Sequence, residues 1–321
     1  MTILVTGVAG FVGSNLADAL LAKGETVAGL DNLSQGSIRN LDAIVGNAKF
    51  QFKVVDLSDI KQYREAITEL HSQSRITEIW HLAANSDIPA GIHDASVDFR
   101  NTLLTTFNTL ELMRELRIPV VVFSSSSAIY GDLGDTLLTE DSGPLLPISN
   151  YGAMKLASEA MISAAVESHL SNCYVFRFPN VVGTPATHGV IVDFVRKLRG
   201  KPDCLTVLGN GTQRKSYLHV EELIDAMIFV RRHSKARRNV FNIGADDEGV
   251  TVRFIAEQVV AAMAPRARIS YGVEDRGWVG DVPRFRYSIA KLRSLGWSPK
   301  MGSVEVVTRA VREIVEQELG R

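Results

Sequence analysis

Residues 3–13 read ILVTGVAGFVG, an apolar run followed at once by three closely spaced glycines. The apolar run is a candidate for a buried β-strand, and the periodicity of about 11–23 predicts an amphipathic helix after it. Glycine lets the backbone turn tightly and approach a pyrophosphate, and the helix start offers unpaired N–H groups. The spacing is G-x-x-G-x-x-G rather than the usual G-x-G-x-x-G, so simple turn chemistry remains an alternative for this stretch. The three glycines are Gly7, Gly10 and Gly13.

The alternation of short apolar runs and amphipathic stretches continues to about residue 180. Further strand candidates lie at 26–30, 50–55, 79–82 and 120–123, and a long helical stretch lies at 98–116. Uninterrupted apolar strands between helices indicate a parallel sheet that is covered on both faces and joined by right-handed crossovers. We therefore expect an α/β fold, a Rossmann-type doubly wound parallel sheet with a smaller C-terminal substrate-binding region. The expected domains are 1–179, with later segments near 218–245 returning to it, and mainly 180–321.

Composition excludes several classes of protein. The chain has 321 residues, 45% of them hydrophobic, and its 35 basic residues balance 36 acidic ones. This balance argues against a nucleic-acid partner. Two cysteines, Cys173 and Cys204, form neither a disulfide framework nor a metal-ligand pattern, and no apolar run approaches the about 18 residues of a membrane helix. We expect a cytoplasmic protein with no bound metal and no membrane partner.

Asp31 strengthens the interpretation of the glycine turn as a cofactor site. It ends the second predicted strand, where a carboxylate can accept hydrogen bonds from the adenosine ribose hydroxyls. A 2′-phosphate there would be repelled, so NAD is favoured over NADP. Asp56, after the third strand, either contacts the adenine edge or caps the following helix.

Two later segments carry residues suited to hydride-transfer chemistry. Tyr151 and Lys155 are four apart and share one face of a predicted helix, so an ammonium lies beside a phenol. A nearby cation favours the phenolate, which can remove a proton from an alcohol. A serine-rich segment, 123–131, follows the strand at 120–123 and places hydroxyls at the carboxyl end of the sheet. Each segment also has an ordinary structural interpretation, as a surface helix or a capped loop, but they occur in the chain order that a Rossmann-type hydride-transfer enzyme requires.

With these motifs the sequence resembles the extended short-chain dehydrogenase/reductase superfamily. Within it, the chain is similar to the sugar-nucleotide epimerases and dehydratases, and particularly to the UDP-galactose (UDP-glucose) 4-epimerases. The resemblance covers essentially the whole chain. It includes the motifs HLAA at 81–84, NT at 101–102, PISNYG at 147–152, RFPNVVG at 177–183, GNGTQRKSY at 209–217 and RGWVGD at 276–281.

The resemblance implies a role for each matching residue. Tyr151 corresponds to the catalytic base, Lys155 to its partner, and Ser126 to the hydroxyl that hydrogen-bonds the reacting O4. The implied NAD contacts are Gly7, Gly10, Phe11, Val12, Gly13, Asp31, Asn32, Asp56, Leu57, Leu82, Ala83, Ala84, Asn101, Ser124, Tyr151 and Lys155. The implied substrate contacts are Ser126, Tyr151, Asn180, Val190, Lys215, Arg276 and Asp281. Lys215 departs from the arginine of many members and so lacks a bidentate fork, and the spacing around Arg276 and Asp281 is longer than in better-known members.

One departure separates the branches of the family. The 4,6-dehydratases carry an Asp-Glu pair just after the catalytic hydroxyl and the decarboxylases carry a glutamate there, whereas this chain has Ser127-Ala128. We therefore expect an NAD-dependent NDP-sugar 4-epimerase, with UDP-glucose and UDP-galactose as the pair. The alternatives are a 4-epimerase of a UDP-hexuronic acid or UDP-N-acetylhexosamine, a nucleotide-sugar 4-ketoreductase, or a non-catalytic cofactor sensor. The family also implies a homodimer that uses the helices near 98–116 and 151–168.

Overall fold

The computed structural model describes residues 1–134, 136–274 and 286–320, and every structural statement below concerns these residues. The strands are β1 (Thr2–Thr6), β2 (Thr26–Asp31), β3 (Phe50–Val54), β4 (Ile76–His81), β5 (Val120–Ser124), β6 (Leu137–Leu138), β7 (Asn172–Arg177), β8 (Asn180–Val182), β9 (Cys204–Val207), β10 (Arg214–Lys215), β11 (Tyr217–His219), β12 (Arg238–Asn242), β13 (Val250–Thr251), β14 (Arg268–Tyr271) and β15 (Arg286–Tyr287). The α-helices are α1 (Phe11–Ala22), α2 (Ile60–Gln73), α3 (Ile88–His93), α4 (Ala95–Asp98), α5 (Thr105–Leu116), α6 (Asn150–Ser168), α7 (Val190–Gly200), α8 (Val220–His233), α9 (Val252–Met263), α10 (Ala290–Ser294) and α11 (Ser303–Leu319).

The described chain divides into two compact units. The first consists of Met1–Ile129, Leu145–Arg177 and Met227–Phe241. The second consists of the described residues within Tyr130–Pro144, Phe178–Ala226 and Asn242–Arg321. The chain therefore passes between the units several times. The assignment of cofactor and substrate binding to the units is still a prediction.

The first unit is built on a seven-stranded sheet with the order β12-β7-β5-β4-β1-β2-β3. The six strands from β7 to β3 pair in parallel, with β1 between β2 and β4. Their apolar runs are buried: Leu4, Ile79 and Val121 are at most 1% exposed. The predicted α/β fold with a parallel doubly wound sheet is confirmed. In such a sheet the ligand lies where the strand order reverses, here at the carboxyl ends of β1 and β4.

The helical stretch predicted at 98–116 contains an irregular turn. Helix α4 continues through a π-helical turn, Phe99–Leu104, into α5. A π-helical turn widens the helix by one residue and is frequent at functional sites. This turn packs against α6, the helix that begins at Asn150.

The second unit has its own apolar core. Helices α7, α9 and α11 pack on one another, and Ile255, Val306 and Ala310 are fully buried among them. Short strand pairs complete the unit: β8 with β11, β9 with β14 and β6 with β15 are parallel, and β10 with β13 is antiparallel.

Candidate active site

The turn that joins β1 to α1 has no room for side chains at two of its glycines. Gly7 has a φ of +69°, in the left-handed region that favours glycine, and a Cβ there would lie 2.8 Å from the main-chain nitrogen of Ala83. A Cβ on Gly13 would lie 2.0 Å from the oxygen of Gly7. The first turn of α1 therefore packs directly on the end of β1, and bare backbone lines this part of the sheet edge.

The start of α1 has the features of an anion-binding site. Gly10 is the N-cap, no described side chain caps the helix, and its first turn contains no acidic residue. N–H groups at a helix start lack intrahelical partners and carry partial positive charge. Phe11 and Val12, the first helical residues, are half-buried. A pyrophosphate group matches this arrangement.

Asp31 holds the glycine turn in place. Its Oδ2 accepts a hydrogen bond from the N–H of Ala9 at 2.9 Å, and its Oδ1 accepts one from the N–H of Leu33 at 2.8 Å. The carboxyl is buried, which raises its pKa, while these backbone hydrogen bonds act in the opposite direction. Each carboxylate oxygen can accept more than one hydrogen bond, so the predicted ribose contact is compatible with this structural role.

The other predicted adenosine-side residues form local turns. Asn32 Oδ1 accepts a hydrogen bond from the N–H of Ser34 at 3.0 Å. Asp56 Oδ1 accepts hydrogen bonds from both the N–H and the hydroxyl of Ser58, at 2.9 and 2.8 Å. The cap of α2 is Asp59, so the alternative that Asp56 caps this helix is wrong. Leu57 is buried beside it.

His81, at the end of β4, is a neutral and fully enclosed ring. Its Nδ1 lies 2.8 Å from Thr6 Oγ1 and its Nε2 lies 3.2 Å from Thr106 Oγ1. Burial, with a smaller contribution from the charge of Lys155, lowers its pKa to about 3. The ring therefore links β1, β4 and α5 without carrying a charge near neutral pH.

The segment after β4 adjoins the glycine turn. The N–H of Leu82 donates to the main-chain oxygen of Thr6 at 3.2 Å, and the N–H of Ala83 donates to its hydroxyl at 3.3 Å. These residues and Ala84 are half-buried, and Ala83 is the residue that leaves no space for a Cβ on Gly7. The structure thus brings together the cofactor residues predicted after β1 and after β4.

Asn101 lies in the π-helical turn and is half-buried. Its main-chain oxygen accepts a hydrogen bond from Thr105 Oγ1 at 3.0 Å.

A buried ion pair between Arg177 and Glu159 holds the serine-rich end of β5 through Ser125. Arg177 donates to Glu159 through Nε and Nη2, the latter at 2.7 Å, and both side chains are less than 10% exposed. Ser125 Oγ also donates to this glutamate, and the N–H of Ser125 donates to the main-chain oxygen of Phe176 at 2.8 Å. Ser124 and Ser126, on either side of Ser125, are therefore held in position.

The Ser126 hydroxyl lies beside the Tyr151 phenol, where hydrogen bonding from it favours the phenolate. Ser126 Oγ itself accepts a hydrogen bond from the N–H of Ala128 at 3.1 Å. Tyr151 is the second residue of α6, whose start is capped by Ser149 Oγ, an acceptor for the N–H of Gly152 at 3.1 Å. A Cβ on Gly152 would lie 2.5 Å from the oxygen of Ala128, so glycine lets α6 approach the serine segment. Burial raises the pKa of Tyr151, and the hydrogen bond from Ser126 lowers it.

Lys155 lies one turn further along α6 and is 2% exposed. Its Nζ donates a hydrogen bond to the main-chain oxygen of Ser124 at 2.6 Å and lies 5.9 Å from the centre of the Tyr151 ring. Burial lowers its pKa to about 7, while the negative charges of Glu159 and Asp98 act to raise it. The three predicted catalytic residues therefore lie together in the first unit.

Ser126 and Tyr151, which are also predicted substrate contacts, lie in the first unit, whereas three further predicted substrate residues lie in the second unit. Asn180 begins β8, and its Nδ2 donates to the main-chain oxygen of Ser216 at 3.3 Å. Val190 is the first residue of α7, and Lys215 lies on β10. Arg276 and Asp281 lie outside the described residues.

Sequence reasoning missed three buried side chains near the catalytic residues. Glu159 follows Lys155 by four residues, and this helical spacing is the signal by which it could have been predicted. Arg177 begins the RFPNVVG motif at 177–183, and the motif gives it no individual role. Asp98 stood at the predicted start of a helix and carried no signal of its own, because only the fold places it beside α6.

The described residues contain neither a cluster of metal-ligating side chains nor a membrane-spanning helix. Over 1–134, 136–274 and 286–320, no group of three or more His, Cys, Asp or Glu side chains is placed to hold a metal ion. No helix in these ranges combines the length and the apolar character needed to span a bilayer.

Comparison with known proteins identifies the family of the chain. Residues 3–244 match the NAD dependent epimerase/dehydratase family. The chain is 30% identical over 318 residues to the UDP-glucose 4-epimerase of Mycolicibacterium smegmatis, an alignment that covers 97% of each protein. Among solved structures it resembles a UDP-galactose 4-epimerase with 34% identity, a TM-score of 0.85 and 99% of both chains covered. It also resembles the UDP-glucose 4-epimerase of Thermus thermophilus in complex with NAD, with 30% identity, a TM-score of 0.84, and 98% and 99% of the two chains covered.

The family match spans three quarters of the chain, from β1 through β12, and contains every part of the first unit's sheet. The chain belongs to the NAD-dependent epimerase/dehydratase family, and NAD is its cofactor.

Proposed function

We propose that this protein is an NAD-dependent NDP-sugar 4-epimerase that interconverts UDP-glucose and UDP-galactose. The observation that carries the proposal is that Ser126, Tyr151 and Lys155 lie together where β5 ends and α6 begins, with the Lys155 nitrogen 5.9 Å from the centre of the Tyr151 ring. This is a hydroxyl, a phenol and an ammonium at the carboxyl end of a parallel sheet, where the fold binds its ligand. The relatives named as 4-epimerases support the choice of reaction.

The residues around the glycine turn fit NAD. The backbone of Gly7, Gly10 and Gly13, with the uncapped start of α1 at Phe11 and Val12, would hold the pyrophosphate. Asp31 would accept hydrogen bonds from the adenosine ribose. A bound NAD would supply the acceptor, and then the donor, for the hydride exchanged at C4 of the sugar. The remaining cofactor contacts would be Asn32, Asp56, Leu57, Leu82, Ala83, Ala84, Asn101, Ser124, Tyr151 and Lys155.

Tyr151 would act as the base. Its phenolic oxygen would take the proton of the C4 hydroxyl as the 4-keto sugar forms, and would return it after the sugar has turned over. The Ser126 hydroxyl lies beside this phenol, and it would hold O4 of the sugar and stabilise the phenolate. The pKa of a free tyrosine is about 10, so base catalysis near neutral pH requires that the phenolate be stabilised.

Lys155 would supply the charge that favours the phenolate. Its ammonium, fixed by the oxygen of Ser124, is buried with the aromatic rings of Tyr151 and Phe123 around it. An ammonium stabilises a nearby anion more strongly in such a site than in water. The same nitrogen would also hold the nicotinamide ribose.

The absence of an acid after Ser126 separates epimerisation from the family's other reactions. Elimination of water or loss of a carboxyl group after C4 oxidation needs an acid or base beside the sugar. The residues at that point of the sequence are Ser127 and Ala128. The oxidised sugar would therefore be reduced again rather than dehydrated or decarboxylated.

The second unit would recognise the nucleotide part of the substrate. Asn180, Val190 and Lys215 are proposed contacts there, together with Arg276 and Asp281 from the sequence pattern. Lys215 would contact a phosphate as a point charge, because it cannot form the bidentate fork of an arginine.

We also propose that the enzyme is a cytoplasmic homodimer. Phe99 and Phe107 lie on the helix through α4 and α5 with exposed fractions of 51% and 48%, and an apolar stripe of this kind suits a helix-to-helix interface. Both cysteines are free thiols, as expected in a reducing compartment. Sedimentation of the Phe107→Glu variant tests the interface: it should sediment as a monomer, and an unchanged dimer would argue for another surface.

The activity is tested by incubating the purified protein, with no added NAD, with a panel of UDP-, CDP-, GDP- and dTDP-sugars. Chromatography of the products should show UDP-glucose and UDP-galactose interconverting, with no steady formation of NADH at its absorbance band. Conversion only of UDP-hexuronic acids or UDP-N-acetylhexosamines would move the assignment to those substrates. A requirement for external reduced cofactor would identify a ketoreductase and overturn the proposal.

A further inference from the structure

Glu159 is a buried carboxylate to which the proposed mechanism gives no role. It lies on α6 four residues after Lys155, a spacing at which a lysine and a glutamate come within reach of each other on a helix. The Lys155 ammonium nevertheless bonds elsewhere. Its nitrogen donates to the main-chain oxygen of Ser124 at 2.6 Å and lies 4.8 Å from the centre of the Phe123 ring. Some other cation must therefore compensate Glu159.

Glu159 is held by donors from two strand ends. Arg177, the last residue of β7, donates from Nε to Oε1 at 3.0 Å and from Nη2 to Oε2 at 2.7 Å. Ser125, directly after β5, donates its hydroxyl to Oε1. Both members of the ion pair are less than 10% exposed. Charge-assisted bonds from a planar guanidinium to both carboxylate oxygens fix this geometry, so Glu159 needs no second cation.

The other ionisable groups around Lys155 lie on different elements. His81, on β4, is neutral near pH 7 because burial lowers its pKa to about 3. Asp98, at the end of α4, also acts on Lys155 through its charge, but it lies against Gly91, whose Cβ would be 1.8 Å from Asp98 Oδ2. Of the two carboxylates that act on Lys155, Glu159 is thus the one that shares its helix.

A pair between Lys155 and Glu159 would weaken the role proposed for the lysine. The Lys155 nitrogen lies 5.9 Å from the centre of the Tyr151 ring, where its charge favours the phenolate. An ammonium that is neutralised by an adjacent carboxylate presents little net charge to that phenol. Without Arg177, Glu159 would be buried without compensation, at a large cost in free energy, and Lys155 is the cation within helical reach.

We propose that Arg177 is a positioning residue of the active site: it holds Glu159 in a closed ion pair and so leaves the charge of Lys155 to the phenol of Tyr151. Arg177 acts through these side chains and touches no reacting atom. The arrangement of the ion pair stands on the contacts within the first unit, whereas its consequence for catalysis rests on the proposed epimerase function.

The test measures the phenol of Tyr151 in the NAD-loaded protein and needs no activity. The chain has seven tyrosines, so labelling their ζ-carbons with ¹³C gives a small set of NMR signals, and that of Tyr151 is identified by its loss in Tyr151→Phe. Arg177→Met should raise the pKa of Tyr151 by about 1, as expected when one neighbouring positive charge is neutralised. In Arg177→Met/Glu159→Gln no carboxylate competes for Lys155, and the pKa should return to the wild-type value. An unchanged pKa in Arg177→Met, or a raised one in the double variant, overturns the proposal.

Glu159→Gln alone separates this role from a merely structural one. If the ion pair only stabilises the fold, the loss of either partner should disturb Tyr151 alike. Under the proposal Lys155 keeps its charge in Glu159→Gln, so the pKa of Tyr151 should stay at or below the wild-type value, although the Tm falls because Arg177 has lost its counter-ion. A rise equal to that in Arg177→Met contradicts the proposal.

Arg231→Met is the matched control, since it opens a second Arg–Glu pair of the same unit. Arg231 donates from Nε to Glu78 Oε2 at 2.7 Å, and Glu78 is 7% exposed. Glu78 is in register with Val120, the first residue of β5, at the end of this strand opposite to Ser124. The variant should lower the Tm and leave the pKa of Tyr151 unchanged. A rise as large as that in Arg177→Met would show that any broken ion pair affects the phenol, and would overturn the proposal.

Arg177→Lys provides the test if Arg177→Met does not fold. The lysine keeps the positive charge but cannot form the fork, so Glu159 retains an oxygen for Lys155 and the pKa of Tyr151 should again rise. A wild-type value there overturns the proposal. A raised pKa in variants of a protein that converts no nucleotide sugar would leave the positioning intact and refute only the proposed function.

Discussion

The ammonium nitrogen of Lys155 donates a hydrogen bond to the main-chain oxygen of Ser124, at 2.6 Å. This bond joins α6 to the last residue of β5. Tyr151 lies one turn earlier on the same helix, with the Lys155 nitrogen 5.9 Å from the centre of its ring. A single contact therefore ties the base, its hydroxyl partner and its cation to one strand end.

Replacement of Tyr151 by phenylalanine should abolish turnover and spare cofactor binding. The ring keeps its packing, but the group that takes the C4 proton is lost, and general-base catalysis of this kind contributes about 10²- to 10⁴-fold. The measurements are kcat with UDP-galactose and the NAD released from the denatured protein. Turnover close to that of the wild type would show that another group is the base.

Replacement of Ser126 by alanine should move the acidic limb of the kcat profile to higher pH. The hydrogen bond from Ser126 lowers the pKa of Tyr151, so its loss makes the phenolate harder to form. Ser127→Ala, which removes the next hydroxyl of the segment, is the control and should leave the profile in place. Equal shifts in the two variants would show that the effect belongs to the segment rather than to the Ser126 hydroxyl.

His81 should make the folded state less stable as the pH falls below about 6.5. The unfolded chain binds a proton on this ring near its ordinary value, while the folded protein resists protonation until about pH 3. Protons therefore favour unfolding throughout that window, with a limiting slope of about 1.4 kcal/mol per pH unit. His81→Asn should show a flatter loss of unfolding free energy in urea between about pH 6.5 and 4.5. Equal slopes for the two proteins would mean that the ring is protonated in the folded state.

Gly13→Ala should destroy the cofactor cradle. Its Cβ would lie 2.0 Å from the oxygen of Gly7, a backbone atom that cannot move without opening the turn. The purified variant should contain little NAD and should unfold at a lower temperature. Gly46→Ala is the control, because a Cβ there meets nothing within 4 Å. Full NAD content in Gly13→Ala would place the pyrophosphate elsewhere.

The parallel sheet could be predicted because its strands are short apolar runs with glycine, aspartate or serine directly after them. The run before Gly7 and the run before Ser124 are buried on both faces, and a sequence pattern records such burial without any partner being known. The pair Tyr151 and Lys155 could be predicted for a similar reason, since helical spacing alone puts them on one face.

Side chains that meet only through the tertiary fold could not be predicted. Asp98 and Gly91 are neighbours because α3 and α4 pack on the same helix, and no spacing in the sequence announces this. The cap of α2 also depends on the backbone path after β3, which brings Asp59 rather than Asp56 to the helix start.

In the proposed reaction, hydride leaves C4 and returns to C4 of the same sugar. The most direct measurement uses UDP-galactose that carries deuterium at C4, incubated with the purified protein without added NAD, with the product examined by mass spectrometry and NMR. We expect UDP-glucose that keeps its deuterium at C4, with no free NADH formed. Loss of the deuterium to water, or its accumulation in free reduced cofactor, would contradict it.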